Sequence, residues 1–95
     1  MTRDELTVWL IAAGYRSLPI YPHIFYNRDG NRRYRMTAHG VRHEERTMLG
    51  HWIRLESAYL KDLSIGKRGR LRGLKRNGMR SLIANGERNV GSRNL

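Results

Sequence analysis

Residues 23–36 have the sequence HIFYNRDGNRRYRM, in which a turn signal separates two strand-like runs. The run before the turn is rich in β-branched and aromatic residues, which favour strands. The Asp-Gly pair at 29–30 is typical of tight hairpin turns. After the turn, Arg33 and Arg35 alternate with less polar residues such as Tyr34, and this alternation places the two sets on opposite faces of a strand. We therefore predict a β-hairpin with an arginine-bearing face.

A helix is predicted before this hairpin. Thr2 and Glu5 have the spacing of a capping box, in which each side chain accepts a hydrogen bond from the other residue's backbone. Apolar residues then recur at helical spacing up to Ala13, and Gly14 suits the left-handed position that ends a helix. The pattern predicts a helix from about residue 3 to residue 13.

Helical spacing of apolar residues returns after the hairpin, from about residue 44 to residue 63. Steps of three and four residues between Met48 and Leu63 predict a second, longer helix, which Gly50 interrupts. A short third strand could begin at Val41. The predicted fold class is α+β, with a small antiparallel β-hairpin or three-stranded sheet packed by two helices in the order α-β-β-(β)-α.

Charge divides the chain into two parts. The 95 residues include 19 Lys and Arg and 8 Asp and Glu, which gives a net charge of +11. Residues 1–65 contain ten basic and seven acidic residues, whereas residues 66–95 contain nine basic residues, one acidic residue and six of the ten glycines. We predict a compact α+β domain at 1–65 and a basic Gly/Arg-rich arm at 66–95 that is weakly structured alone.

Composition excludes several classes of protein. The chain has no cysteine, which excludes a disulfide framework, a Cys-based zinc site and a thiol nucleophile. Its longest apolar run is residues 8–13, far shorter than the roughly 20 residues that span a bilayer. The N-terminus carries acidic residues where a signal peptide needs basic ones. We expect a cytoplasmic protein with no membrane partner.

Arginine accounts for 16 of the 19 basic residues. Its planar guanidinium binds phosphate through two hydrogen bonds and stacks on bases, which lysine does not do. We therefore predict a non-enzymatic nucleic-acid-binding protein that contacts the phosphate backbone and has no cofactor, with structured RNA favoured over DNA. The predicted contacts are Arg28, Arg32, Arg33, Tyr34 and Arg35 in the hairpin, and Lys67, Arg68, Arg70, Arg72, Lys75, Arg76 and Arg80 in the arm.

Four histidines lie between residues 23 and 51, which raises the question of a metal site. His39 and His43 have the i, i+4 spacing of two ligands on one helix face. Gly40 and the expected loop argue against a helix there, and no carboxylate or cysteine completes a known ligand pattern. We expect no metal site.

A series of short runs in the first part of the chain is similar to a known family. The series consists of the Gly-Tyr pair at 14–15, the runs at 23–30 and 32–36, and the His-Gly pair at 39–40. Together they resemble the helix end and central hairpin of HicA-type toxins, which are small mRNA interferases. The resemblance covers roughly residues 5–60.

This resemblance implies a double-stranded-RNA-binding-like fold of order α-β-β-β-α. It also implies that His23 is the candidate general acid/base for cleavage of RNA through the 2′-hydroxyl, with no metal required. A HicA-like endoribonuclease that uses His23 is therefore an alternative function.

A second alternative is a small phage or mobile-element protein that binds and modulates a larger acidic protein or a ribonucleoprotein assembly. Aromatic and apolar side chains are the usual anchors of such an interface. The candidate anchors are Trp52, Tyr59, Leu71, Leu74 and Leu82.

Overall fold

The computed structural model describes residues 1–76 and shows an α+β fold that consists mostly of antiparallel sheet. Its elements are helix α1 (Arg3–Ala12) and strands β1 (Arg16–Leu18), β2 (Tyr21–Tyr26), β3 (Arg32–Met36), β4 (Gly40–Arg46), β5 (Trp52–Tyr59), β6 (Ser64–Ile65), β7 (Leu71–Arg72) and β8 (Lys75–Arg76), with a 3-10 helix at Leu60–Asp62. Six strands form one sheet in the order β1-β2-β3-β4-β5-β8, and β6 pairs with β7 in a separate hairpin. Helix α1 packs against one face of the large sheet.

Helix α1 confirms the predicted capping box. The backbone N–H of Thr2 donates to Glu5 Oε1 at 2.7 Å, and the backbone N–H of Glu5 donates to Thr2 Oγ1 at 3.1 Å. These bonds hold the pKa of the Glu5 carboxyl below its usual range, and the bond from the Thr2 backbone has the largest effect. The helix is followed by Gly14, whose φ of +96° is the left-handed conformation expected at this position.

The predicted hairpin is also confirmed. Strands β2 and β3 are antiparallel, and Phe25 pairs with Tyr34 while Tyr26 pairs with Arg33. Gly30 lies in the turn between them with a φ of +73°. The third strand that was expected near Val41 is β4, which is the full-length neighbour of β3.

The second helix, predicted over residues 44–63, is wrong, because this region forms the end of β4, a turn, β5 and the 3-10 helix. The turn is closed by a 2.9 Å hydrogen bond from the Gly50 N–H to the Thr47 carbonyl, and Gly50 has a φ of +87°. Met48 and Leu49, which contributed to the helical pattern, are exposed in this turn. The hairpin between β4 and β5 therefore replaces the predicted helix.

The hydrophobic core lies between α1 and the sheet. Leu6 and Leu10 of α1 are fully buried against strand residues that include Phe25, Met36 and Val41. These strand side chains project from the same sheet face because they occupy alternate or paired positions. The hydrophobic cluster of the described residues thus lies on one face of the sheet.

The described part of the predicted arm, residues 66–76, packs on the rest of the chain. The Trp9 indole N–H on α1 donates to the carbonyl oxygen of Gly69, at the tip of the β6–β7 hairpin, at 2.7 Å. Strand β8 pairs with β5 and forms an edge of the large sheet. The boundary expected between residues 65 and 66 therefore falls inside the β6–β7 hairpin, and residues 77–95 lie outside the described part of the chain.

Two glycines allow the sheet packing to be tested. We expect Gly40→Ala to destabilise the protein by about 3 kcal/mol, because the added methyl group meets the Ala58 carbonyl oxygen on the neighbouring strand. Gly30→Ala is the control, because its turn position is open and the change costs only about 1 kcal/mol of left-handed strain. Thermal unfolding followed by circular dichroism measures both, and equal losses would contradict the described β4–β5 contact.

Candidate functional site

The sheet face opposite α1 carries most of the charged side chains of the central strands. Cross-strand partners project from the same face, so the register assigns each residue to one side. We call this side the outer face. It comprises Ile24, Tyr26, Arg33, Arg35, Arg42, Glu44, Arg46, Trp52, Arg54, Ser57, Tyr59 and Lys75.

A row of cations crosses the outer face. Arg35 on β3 pairs with Arg42 on β4, Arg42 pairs with Ser57 on β5, and Ser57 pairs with Lys75 on β8. We call Arg35, Arg42, Ser57 and Lys75 the cationic row, and at a strand spacing of about 4.8 Å it is about 14 Å long. Like charges on directly paired residues repel each other. The row therefore concentrates positive charge across four neighbouring strands.

Little negative charge is available to this row from the strands themselves. Glu44 is the only acidic residue on the outer face of the described strands, and its side chain is 7% exposed. Arg35 Nε lies 3.6 Å from Glu44 Oε1 but makes no hydrogen bond within residues 1–76. Arg42 and Lys75 are exposed and form no ion pair within the same residues.

Glu44 is instead bonded to Arg33. The Arg33 Nε–H donates to Glu44 Oε1 at 2.7 Å, and both side chains are almost fully buried. The guanidinium of Arg33 also lies 4.1 Å from the centroid of the Trp52 ring. Arg33 was predicted to contact phosphate, but the structure shows it in an internal ion pair and a cation–π contact.

A cavity of about 390 Å³ opens beside the cationic row. Its lining combines cationic groups with hydroxyl groups, which are the donors that bind phosphate oxygens. Asp62 is the only acidic residue in the described lining. The cationic and hydroxyl residues are Arg42, Arg54, Lys75, Thr37, Ser57 and Tyr59.

The β6–β7 hairpin forms a second basic surface. Its turn is closed by hydrogen bonds from the Gly66 N–H to the Arg70 carbonyl at 2.8 Å and from the Gly69 N–H to the Gly66 carbonyl at 2.9 Å. The hairpin tip contacts α1 through Trp9, so it lies on the opposite side of the sheet from the cationic row. Four predicted contacts are exposed on this hairpin, namely Lys67, Arg68, Arg70 and Arg72.

The remaining predicted contacts do not share one surface. Arg28 is exposed in the β2–β3 turn. Arg32 and Arg76 have register positions on the α1 side of the sheet. Tyr34 is only 7% exposed in the core, where burial raises the pKa of its hydroxyl, and Arg80 lies outside the described residues.

The histidines have different environments. His23 is exposed on β2, and its imidazole makes no hydrogen bond within residues 1–76. His43 is buried on the α1 side, with Nδ1 3.0 Å from Glu56 Oε1 and its ring stacked on Tyr34 at 4.4 Å between centroids. Within the described residues, no group of three His, Asp or Glu side chains could hold a metal ion.

Comparisons with protein-family models, with curated proteins and with solved structures give no match for this chain. The described helices include none with the length and apolar character needed to cross a membrane. Strands occupy the region where the HicA-type order has its closing helix.

Sequence reasoning did not recognise several residues as part of the outer face. Arg42 was not singled out as a contact, Arg46 and Arg54 fell within the predicted second helix, and Trp52 was assigned to that helix and named only as an anchor for a protein partner. The structure aligns Arg42 with Arg35 and places Trp52 beneath the Arg33 guanidinium. Recognising the Thr47–Gly50 turn as a hairpin turn would have brought Arg54 and Trp52 onto the sheet.

The buried ion pair is open to a stability test. We expect Glu44→Gln to reduce the free energy of unfolding by about 3 kcal/mol, because it leaves the buried Arg33 charge without its counter-ion. Glu45→Gln is the matched control: Glu45 forms a 3.4 Å ion pair with Arg32 that is partly exposed, and its loss costs less than about 1 kcal/mol. Urea unfolding monitored by fluorescence measures both values, and similar losses would argue against a special role for Glu44.

Proposed function

We propose that the protein binds nucleic acid without cleaving it, by holding the phosphate backbone against the outer face. The observation that carries this proposal is the cationic row, in which Arg42 and Lys75 form no ion pair among the described residues. A phosphate chain supplies negative charge at regular intervals, and release of its condensed counterions favours binding. A polyanion therefore matches the row better than a single small anion does.

The donor chemistry supports phosphate as the group that is bound. Arginine forks and hydroxyl groups meet around the cavity beside the row, and phosphate oxygens act only as acceptors. Ser57 lies between Arg42 and Lys75 in the register, so a neutral hydroxyl separates two cations. This alternation allows one phosphate to contact two neighbouring strands.

Structured RNA is the favoured substrate in this proposal. An open antiparallel sheet with aromatic side chains is a common RNA-binding arrangement, because unpaired bases can stack on it. Tyr59, 61% exposed, is available on the outer face beside the cationic row. Arginine rather than lysine supplies most of the charge, and guanidinium groups also stack on bases.

The β6–β7 hairpin provides a second contact region. Its strand β7 ends two residues before β8, so the hairpin is joined to the sheet at the edge that Lys75 occupies. An RNA that is wide enough to pass around this edge would contact both surfaces. A structured RNA fits this arrangement better than a short single strand.

We expect Arg42→Gln to reduce the slope of log affinity against log salt concentration by about 0.7 to 0.9, the loss of one phosphate contact. The probe is a fluorescent RNA hairpin, measured by anisotropy on the full chain. Arg3→Gln is the matched control, because Arg3 is exposed at the start of α1 and carries the same charge. An equal reduction by both variants would show that net charge, and not the outer face, determines binding.

The same proposal predicts that RNA is recovered at full length after prolonged incubation with the protein in excess. His23 is exposed and has no hydrogen-bonded partner within residues 1–76 to position it as a general base. Denaturing gel electrophoresis of the recovered RNA measures the outcome. Shortened RNA that depends on active protein would replace the binding proposal with the endoribonuclease alternative.

A further inference from the structure

A groove of about 580 Å³ lies at the corner of the outer face, between the β2–β3 turn and the start of β5. Its volume is in the range of sites that hold small organic ligands. The described lining contains no acidic residue. Its principal side chains are Arg16, Leu18, Tyr26, Arg28, Arg46 and Trp52.

The aromatic wall of this groove is held in place from within the sheet. The Tyr26 and Trp52 rings meet edge to face, with centroids 6.0 Å apart. The Arg33 guanidinium covers one face of the Trp52 ring at 4.1 Å, and the buried Glu44 carboxylate fixes that guanidinium. Trp52 lines the groove, so we expect a planar ligand to stack on the indole face that Arg33 does not cover.

The basic residues lie around the aromatic rings. Arg28 and Arg46 are both exposed and line the groove, Arg28 from the β2–β3 turn and Arg46 from the end of β4. The Arg16 guanidinium donates a hydrogen bond to the Ile11 carbonyl at 3.0 Å. This bond fixes the positive charge of Arg16 at the start of β1. A planar aromatic group with a negative charge on each side would satisfy this arrangement.

We propose that this groove binds one unpaired nucleobase of RNA, stacked on Trp52, with its flanking phosphates on Arg28 and Arg46. Two observations support this inference. The basic lining complements the charge of phosphate, and the aromatic ring of Trp52 is fixed in position. This inference rests on the proposed nucleic-acid function and adds a preference for unpaired nucleotides. Bases within a duplex are already stacked and paired, so they do not enter the groove.

The test compares three RNA probes of about 12 nucleotides, a length within the range bound by single-strand sites. They are a single strand, an abasic chain with the same number of phosphates, and a blunt duplex. We expect the full-length wild-type protein to bind the abasic chain at least about tenfold more weakly than the single strand, because stacking on Trp52 is lost, together with any stacking on Tyr59, while the charge is unchanged.

The variant Trp52→Leu should weaken binding to the single strand about tenfold while leaving binding to the abasic chain and the duplex unchanged. Tyr21→Leu is the control, because Tyr21 is an exposed aromatic residue outside the groove. Equal wild-type affinity for the single strand and the abasic chain would overturn the groove proposal. A Trp52→Leu loss of the same size on all three probes would overturn it as well.

A second readout does not require Trp52 to be replaced. In Trp9→Phe, Trp52 is the only tryptophan, and its fluorescence should be quenched by the single strand but not by the abasic chain. Quenching by neither probe, or by both equally, would contradict base stacking in the groove. Failure of the proposed function itself is distinguishable, because the wild-type protein would then show no salt-dependent binding to any of the three probes.

Discussion

The buried Glu44 carboxylate is the interaction on which the outer face depends. It accepts a 2.7 Å hydrogen bond from Arg33 and lies 3.6 Å from Arg35 Nε. A buried charge whose partner is removed costs about 3–5 kcal/mol, so this carboxylate makes an arginine inside the sheet tolerable. Arg33 in turn covers one face of Trp52. One acidic side chain therefore stabilises the central strands and fixes the orientation of an aromatic ring at the surface.

The two faces of the sheet have different physical roles. The inner face buries Leu6 and Leu10 of α1 against aromatic and aliphatic strand residues, which provides the hydrophobic stabilisation. The outer face places Arg35 directly opposite Arg42, where like charges repel, and the Glu44 carboxylate 3.6 Å from Arg35 offsets part of that repulsion. A second outward carboxylate near Arg42 would relieve that repulsion, but it would also neutralise the surface that we propose binds phosphate. The hydrophobic core on the inner face offsets this repulsion, so the fold tolerates the excess positive charge of the outer face.

The parts of the fold that were predicted correctly are specified by local signals. The capping box of α1 needs only Thr2 and Glu5, and the first hairpin needs only the turn at 29–30 between two strand-like runs. Region 44–63 was misassigned because its apolar residues also have helical spacing. Its strands contain an irregularity opposite His43 and Glu44, which breaks the alternation that identifies a strand. The exposed apolar residues of the turn strengthened the helical pattern further.

The candidate site could be predicted only in part, because it is assembled by register. Alternation alone placed Tyr34 on the face opposite Arg33, and that face is the core. The burial of Arg33, however, depends on Glu44 on the next strand. Arg42 and Lys75 are brought into one row by pairing across β4, β5 and β8, and their separation along the chain follows no helical or strand period. Composition predicts a basic protein, whereas only the pairing of strands shows which cations share one surface and which are already neutralised.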